Sequence, residues 1–115
     1  MMDGSLLVLG IAGPELAPEE AALFRKLQPA GYILFTRNIV SAVQTRKLTD
    51  DLRELSSETP IIAIDQEGGR VTRTRDIAPV APSAPALAAA KDMVKIAEAG
   101  ALTGDLLRLL GINLN

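Results

Sequence analysis

An α/β fold built on a parallel sheet follows from three observations. Short apolar runs recur along the chain, segments of helical periodicity separate them, and the two alternate from end to end. Strand, helix, strand, helix, strand, helix and a last incipient strand is the order produced by parallel sheets with right-handed crossovers. With 115 residues, 48% of them hydrophobic, the chain has the size and apolar content for one core.

The first run, Leu6-Leu7-Val8-Leu9-Gly10-Ile11, closes on Gly13-Pro14 and predicts a strand buried on both faces. Pro18 suits the first position of a helix, Glu19 and Glu20 suit its positive end, and Leu23, Phe24 and Leu27 share a face. Pro29 ends that helix. Gly31-Tyr32-Ile33-Leu34-Phe35 predicts a second buried strand ending at Thr36-Arg37-Asn38. Ser41 with Gln44 three residues on is a capping box, and Leu48, Leu52 and Leu55 follow at helical spacing, so a second helix is expected over 42–55. Ile61-Ile62-Ala63-Ile64 is the third strand, with Asp65 at its carboxyl end. Pro79, Pro82 and Pro85 predict an extended crossing, and 86–110 one or two helices with Met93, Ile96, Leu102, Leu106 and Leu109 at helical spacings. Gly111 fits the position past a helix end, and Ile112-Asn113-Leu114-Asn115 resembles the start of a fourth strand.

Composition removes several classes of function. Aromatic residues make up 3% of the chain and the net charge is -2, which disfavours a nucleic-acid partner because base stacking and phosphate neutralisation both lack the side chains they need. No cysteine is present for disulfides, thiolate catalysis or zinc-thiolate sites. The run from Leu6 is too short and lacks the basic flank of a signal segment, and nothing approaches the roughly 18 apolar residues that span a bilayer, so no membrane partner and a cytoplasmic location are expected. Histidine is absent, so no imidazole acid, base or metal ligand lies within these residues.

In parallel α/β folds, function gathers at the carboxyl ends of the strands. Asp65 stands there, followed by Gln66, Glu67, the pair Gly68-Gly69, and the cations Arg70, Arg73 and Arg75. A structural reading of this cluster makes Asp65 a turn cap and the arginines solvated ion pairs. Gly68-Gly69 beside arginine could form an anion-binding nest, but neither nucleotide-binding glycine motif is present. Asp65 and Glu67 could serve glycoside hydrolysis or a hard metal, although alternation on an extended segment would turn them to opposite sides.

Asp65-Gln66-Glu67-Gly68-Gly69-Arg70-Val71 with Arg73 resembles the signature of glycoside hydrolase family 3, in particular its bacterial β-N-acetylglucosaminidases of cell-wall recycling. Gly31–Asn38 resembles the second-strand segment of that family and Leu110–Asn115 the start of its fourth. The resemblance implies that residues 1–115 are the amino-terminal part of a (β/α)8 TIM-type barrel, about three and a half βα units of one incomplete catalytic domain. A complete barrel needs about 250 residues. The implied reaction is retaining hydrolysis of terminal β-linked N-acetylglucosamine from muropeptides, without metal or organic cofactor.

The resemblance further implies that Asp65 and Arg73 bind the sugar, while Glu67, Gly68, Gly69 and Arg70 shape the loop, Arg70 by pairing with Glu67. Arg37 and Asn38 are expected to shape the second-strand loop. In such relatives the nucleophile is an aspartate later in the barrel and the acid/base a histidine on a later loop, so no catalytic residue is assigned here and no turnover is expected. A small complete α/β ligand-binding or regulatory domain is the alternative, and β-glucosidase another specificity within the family. A half-barrel should aggregate or stay molten alone, whereas a cooperative monomeric transition would mark the small domain. Neither oligomeric state nor aglycone is legible in the residues.

Overall fold

A computed structural model describes residues 3–115. Its elements are β1 (Val8–Gly10), α1 (Pro18–Leu27), β2 (Gly31–Leu34), α2 (Ala42–Leu55), β3 (Ile61–Ile64), α3 (Ala84–Ala90) and α4 (Met93–Leu109), with a 3-10 turn at Thr36–Asn38. The strands lie in the order β1-β2-β3, all parallel, with Val8 opposite Gly31 and Gly31 opposite Ile61.

Local chemistry sets the helix ends. Pro18 opens α1, and the Glu20 carboxylate accepts from the Ala17 amide at 3.4 Å and from the Ala12 amide at 2.9 Å. Ser41 and Gln44 form the expected capping box on α2, the Gln44 amide donating to Ser41 Oγ at 3.0 Å. Such a cap contributes about 1 kcal/mol. Gly111 follows α4 with φ +80°, the left-handed conformation that ends helices at low cost for glycine.

Tyr32, Leu34, Ile62 and Ile64 point toward the helices and are buried with Ile11, Phe24, Leu48, Leu52 and Leu110. The Phe24 and Tyr32 rings lie 5.2 Å apart in a tilted arrangement. The opposite row, Val8 and Ile61, is open, which corrects the expectation of strands buried on both faces: helices cover one face of the sheet only. β1 is also shorter than the run Leu6–Ile11, and Leu6 is 94% exposed beside it. The proline crossing ends earlier than expected, because Pro85 falls in the first turn of α3, where its missing N–H has no helical partner to lose. On α4 the buried residue is Leu107, while Met93, Leu102 and Leu109 face outward.

The last four residues run alongside β3. Ala63 and Leu114 form a parallel bridge, and the Ile64 amide donates to the Leu114 carbonyl at 3.0 Å. The Asn113 and Asn115 side chains extend this pairing: Asn113 Oδ1 accepts from the Ile62 amide at 2.7 Å, and Asn115 Oδ1 from the Gln66 amide at 2.9 Å. The incipient fourth strand is thus joined to β3 by backbone bonds from Asn113 and Leu114 as well, and the two asparagine side chains extend the pairing at both ends.

Candidate functional site

The carboxyl ends of β1, β2 and β3 lie side by side, and those of β2 and β3 carry polar side chains. At β2 the Asn38 side chain is fully buried; its Nδ2 donates to the carbonyls of Ile11 at 3.0 Å and Gly13 at 2.8 Å, and its Oδ1 accepts from the Phe35 amide. Arg37 Nε donates to the same Ile11 carbonyl at 3.0 Å. These bonds tie the end of β2 to the end of β1.

At β3, Asp65 is exposed, and its polar partner among the described residues is Arg73, at 3.6 Å. That distance leaves the carboxylate oxygens open to other donors. The Arg73 guanidinium lies 5.5 Å from the centroid of the Phe35 ring, which Arg37 approaches to 5.0 Å. Arg73 Nε is buried without a hydrogen-bond partner, so ring and carboxylate hold the head group.

Beneath Asp65 the loop is anchored by Gln66, which the sequence places in the polar cluster, and by Thr74, which it does not single out. Gln66 is buried; its Nε2 donates to Thr74 Oγ1 at 2.6 Å and its Oε1 accepts from the Arg73 amide at 2.9 Å. A signal was available, because Thr72-Arg73-Thr74-Arg75 alternates, and both threonines are buried while Arg73 is half-buried and Arg75 exposed. Gly68 and Val71 form an antiparallel bridge, and the Gly69 amide donates to Ala81 across the proline crossing at 2.8 Å. A side chain at Gly68, whose φ is +81°, would stand 2.4 Å from the Pro82 carbonyl oxygen.

One expected contact is absent. Arg70 makes no ion pair with Glu67 among the described residues; both are exposed. Arg75 instead closes the loop, donating to the carbonyls of Gly69 at 3.0 Å and Arg70 at 3.2 Å. Nor does Glu67 join Asp65 in a metal site, since among the described residues no three acidic, histidine or cysteine side chains converge. An apolar cleft of about 500 Å³ lies between the proline crossing and α4, lined by Val80, Pro82, Leu87, Leu102 and Leu106 but not by Asp65 or Arg73. It marks uncovered apolar surface; the polar group lies elsewhere.

Fold and loop together define a parallel α/β unit that presents a carboxylate and a guanidinium at its carboxyl edge. Residues 3–115 match the Glycosyl hydrolase family 3 N terminal domain, and the chain belongs to that family. A beta-hexosaminidase of Alkalilimnicola ehrlichii is 41% identical over 100 residues, 87% of this chain and 28% of that protein. A glycoside hydrolase family 3 beta-N-acetylglucosaminidase from Paenibacillus superposes with a TM-score of 0.88 at 37% identity, over 96% of this chain and 22% of its own. NagZ from Neisseria gonorrhoeae, solved with N-trifluoroacetyl-D-glucosamine, superposes at 0.71 with 31% identity, over 96% of this chain and 34% of its own. The chain therefore has the fold of the first three and a half βα units of the family's barrel, and spans about a quarter of the curated relatives it matches.

Proposed function

We propose that this chain is the sugar-contacting amino-terminal part of a retaining β-N-acetylhexosaminidase that removes terminal β-linked N-acetylglucosamine from peptidoglycan fragments in the cytoplasm. The observation that carries this reading is Asp65, exposed at the end of β3 and 3.6 Å from Arg73, above a loop anchored by buried Gln66. A carboxylate so placed accepts from two neighbouring sugar hydroxyls, each charge-assisted bond worth roughly 1.5 to 3 kcal/mol. Arg73 donates to the same ring, and Glu67, Gly68, Gly69 and Arg70 give the loop its shape.

Retaining hydrolysis requires a nucleophile and an acid/base on opposite sides of the scissile bond. None of the 115 residues is histidine, and Asp65 is assigned to binding. We infer that both catalytic groups belong to other residues of a parent polypeptide, and that residues 1–115 are one incomplete barrel domain that binds the sugar without cleaving it.

Incubating the chain with a chromogenic N-acetylglucosaminide, while following ligand binding by saturation-transfer NMR, tests this directly. Binding of the N-acetylglucosaminide above the matching glucoside, with no release of chromophore, is expected. Release of chromophore, abolished by Asp65→Asn, would overturn the expectation that the chain binds the sugar without cleaving it.

A further inference from the structure

We propose that Asn115 is a positioning residue for the sugar site, its side-chain amide clamping the backbone on which Asp65 stands; this rests on the reading of Asp65 as a sugar-binding residue. Backbone bonds join β3 to the segment 112–115 as far as Ile64, whose amide donates to the Leu114 carbonyl at 3.0 Å. Past that point the chain turns into the loop, and among the described residues the Gln66 amide and carbonyl have no backbone partner. Asn115 supplies both. Its Oδ1 accepts from the Gln66 amide and its Nδ2 donates to the Gln66 carbonyl, each at 2.9 Å and partly buried. A carboxamide carries a donor and an acceptor in one plane, as a peptide group does, so the Asn115 side chain takes the place of the next rung of the ladder.

The two bonds hold the peptides on either side of Gln66. The first of these peptides carries the Asp65 carbonyl, and because a peptide is planar, fixing it restricts the direction in which the Asp65 side chain leaves the backbone. The second sets the course of buried Gln66, whose Oε1 accepts from the Arg73 amide at 2.9 Å and whose Nε2 donates to Thr74 Oγ1 at 2.6 Å. Arg73 in turn stands 3.6 Å from Asp65. Asn115 thus acts on both members of the pair, through the backbone on Asp65 and through Gln66 on Arg73. Asn113 provides the contrast. On the same segment, its Oδ1 accepts from the Ile62 amide at 2.7 Å and its Nδ2 donates to the Pro60 carbonyl at 3.0 Å, at the other end of β3. Identical chemistry there joins the sheet and stops short of the loop. A binding group displaced by about half an ångström loses much of its hydrogen bonding, so the clamp on Gln66 bears on the sugar and the one on Ile62 does not.

The test measures affinity for methyl β-N-acetylglucosaminide by saturation-transfer NMR on the full chain, a method that tolerates self-association. Asn115→Ala and Asn113→Ala are compared, each with and without Asp65→Asn. Asn115→Ala should weaken binding about three- to tenfold, and Asp65→Asn, which should cost about tenfold in the wild type, should cost about threefold or less in that background. Asn113→Ala should lower the urea midpoint as Asn115→Ala does, yet leave both the affinity and the full effect of Asp65→Asn in place. Wild-type affinity in Asn115→Ala, an undiminished cost of Asp65→Asn in its background, or the same losses in Asn113→Ala would each overturn the proposal. Asn115→Asp keeps the shape and the acceptor and loses the donor to Gln66, and it serves should Asn115→Ala not stay folded: it should also weaken binding, and wild-type affinity in it overturns the proposal. A wild type that does not bind the glycoside, or whose affinity Asp65→Asn leaves unchanged, removes the Asp65 site and the clamp with it; sensitivity to Asp65→Asn without sensitivity to the Asn115 variants removes the clamp alone.

Discussion

Arg73 stands 3.6 Å from Asp65 and 5.5 Å from the centroid of Phe35, so one guanidinium joins the end of β3 to the end of β2. The pair is half open to solvent, with the two side chains 28% and 50% exposed, and its direct contribution to stability is no more than about 1 kcal/mol. Its importance lies in orientation. Arg73 fixes where the Asp65 carboxylate faces, and the loop beneath fixes Arg73.

That loop depends on Gln66. Gln66→Ala would leave the Arg73 amide and the Thr74 hydroxyl without partners in a buried setting. A loss of about 1 to 3 kcal/mol is expected, measured as a lower urea midpoint, together with weaker sugar binding. Affinity equal to wild type in a destabilised Gln66→Ala would show that Arg73 keeps its place unaided.

Glycine substitutions should separate by position. Gly68→Ala forces a side chain into a positive-φ residue and to within 2.4 Å of the Pro82 carbonyl oxygen, and should cost about 1 to 3 kcal/mol or more. Gly100→Ala and Gly104→Ala meet nothing within 4 Å inside α4 and should stabilise by about 0.5 to 1 kcal/mol each. Urea unfolding of the three variants decides the matter, and the same sign for all three would refute it.

Alkaline pH should weaken the fold through Tyr32. The ring is fully buried, and that burial raises the phenol above its ordinary value of 10.0, against a smaller opposing effect of the Ser56 side chain. A group held protonated more tightly by the folded state contributes stability that is complete below about pH 10 and is lost as the pH rises through the folded value. Stability measured across pH 9 to 11.5, roughly, should fall at the upper end in the wild type and fall less in Tyr32→Phe. Identical profiles would assign the alkaline loss to other groups.

Exposed apolar side chains set the behaviour of the chain in solution. Leu6, Met93, Leu102 and Leu109 are 94, 75, 70 and 73% exposed, and the open row of the sheet adds Val8 and Ile61. Concentration-dependent self-association is expected in sedimentation velocity, reduced when Met93, Leu102 and Leu109 are replaced by lysine. A wild-type chain that stays monomeric at high concentration would contradict this and favour a self-sufficient small domain.

Much of this architecture was legible in the residues. Pro18, the Ser41-Gln44 box and Gly111 mark helix ends by backbone chemistry that tertiary packing leaves unchanged, and Asp65 follows from its place after a β-branched run. Burial was less legible. The run Leu6–Ile11 looks like a core strand, but apolar sequence states only that a face can be covered, not that anything covers it. The loop partners were hidden for a different reason. Arg70 and Glu67 have complementary charges and stay apart, while Gln66 and Thr74 are neutral and meet in the interior, because buried polar groups must be satisfied and exposed charges need not be.

The account turns on Asp65 as the acceptor for sugar hydroxyls. Affinity for methyl β-N-acetylglucosaminide, measured by saturation-transfer NMR for the wild type and for Asp65→Asn, tests it most directly, since the amide keeps the shape of the side chain and removes only its charge and half its acceptor capacity. A loss of about tenfold or more is predicted, with the urea midpoint unchanged. Equal affinity in the two proteins would contradict the account.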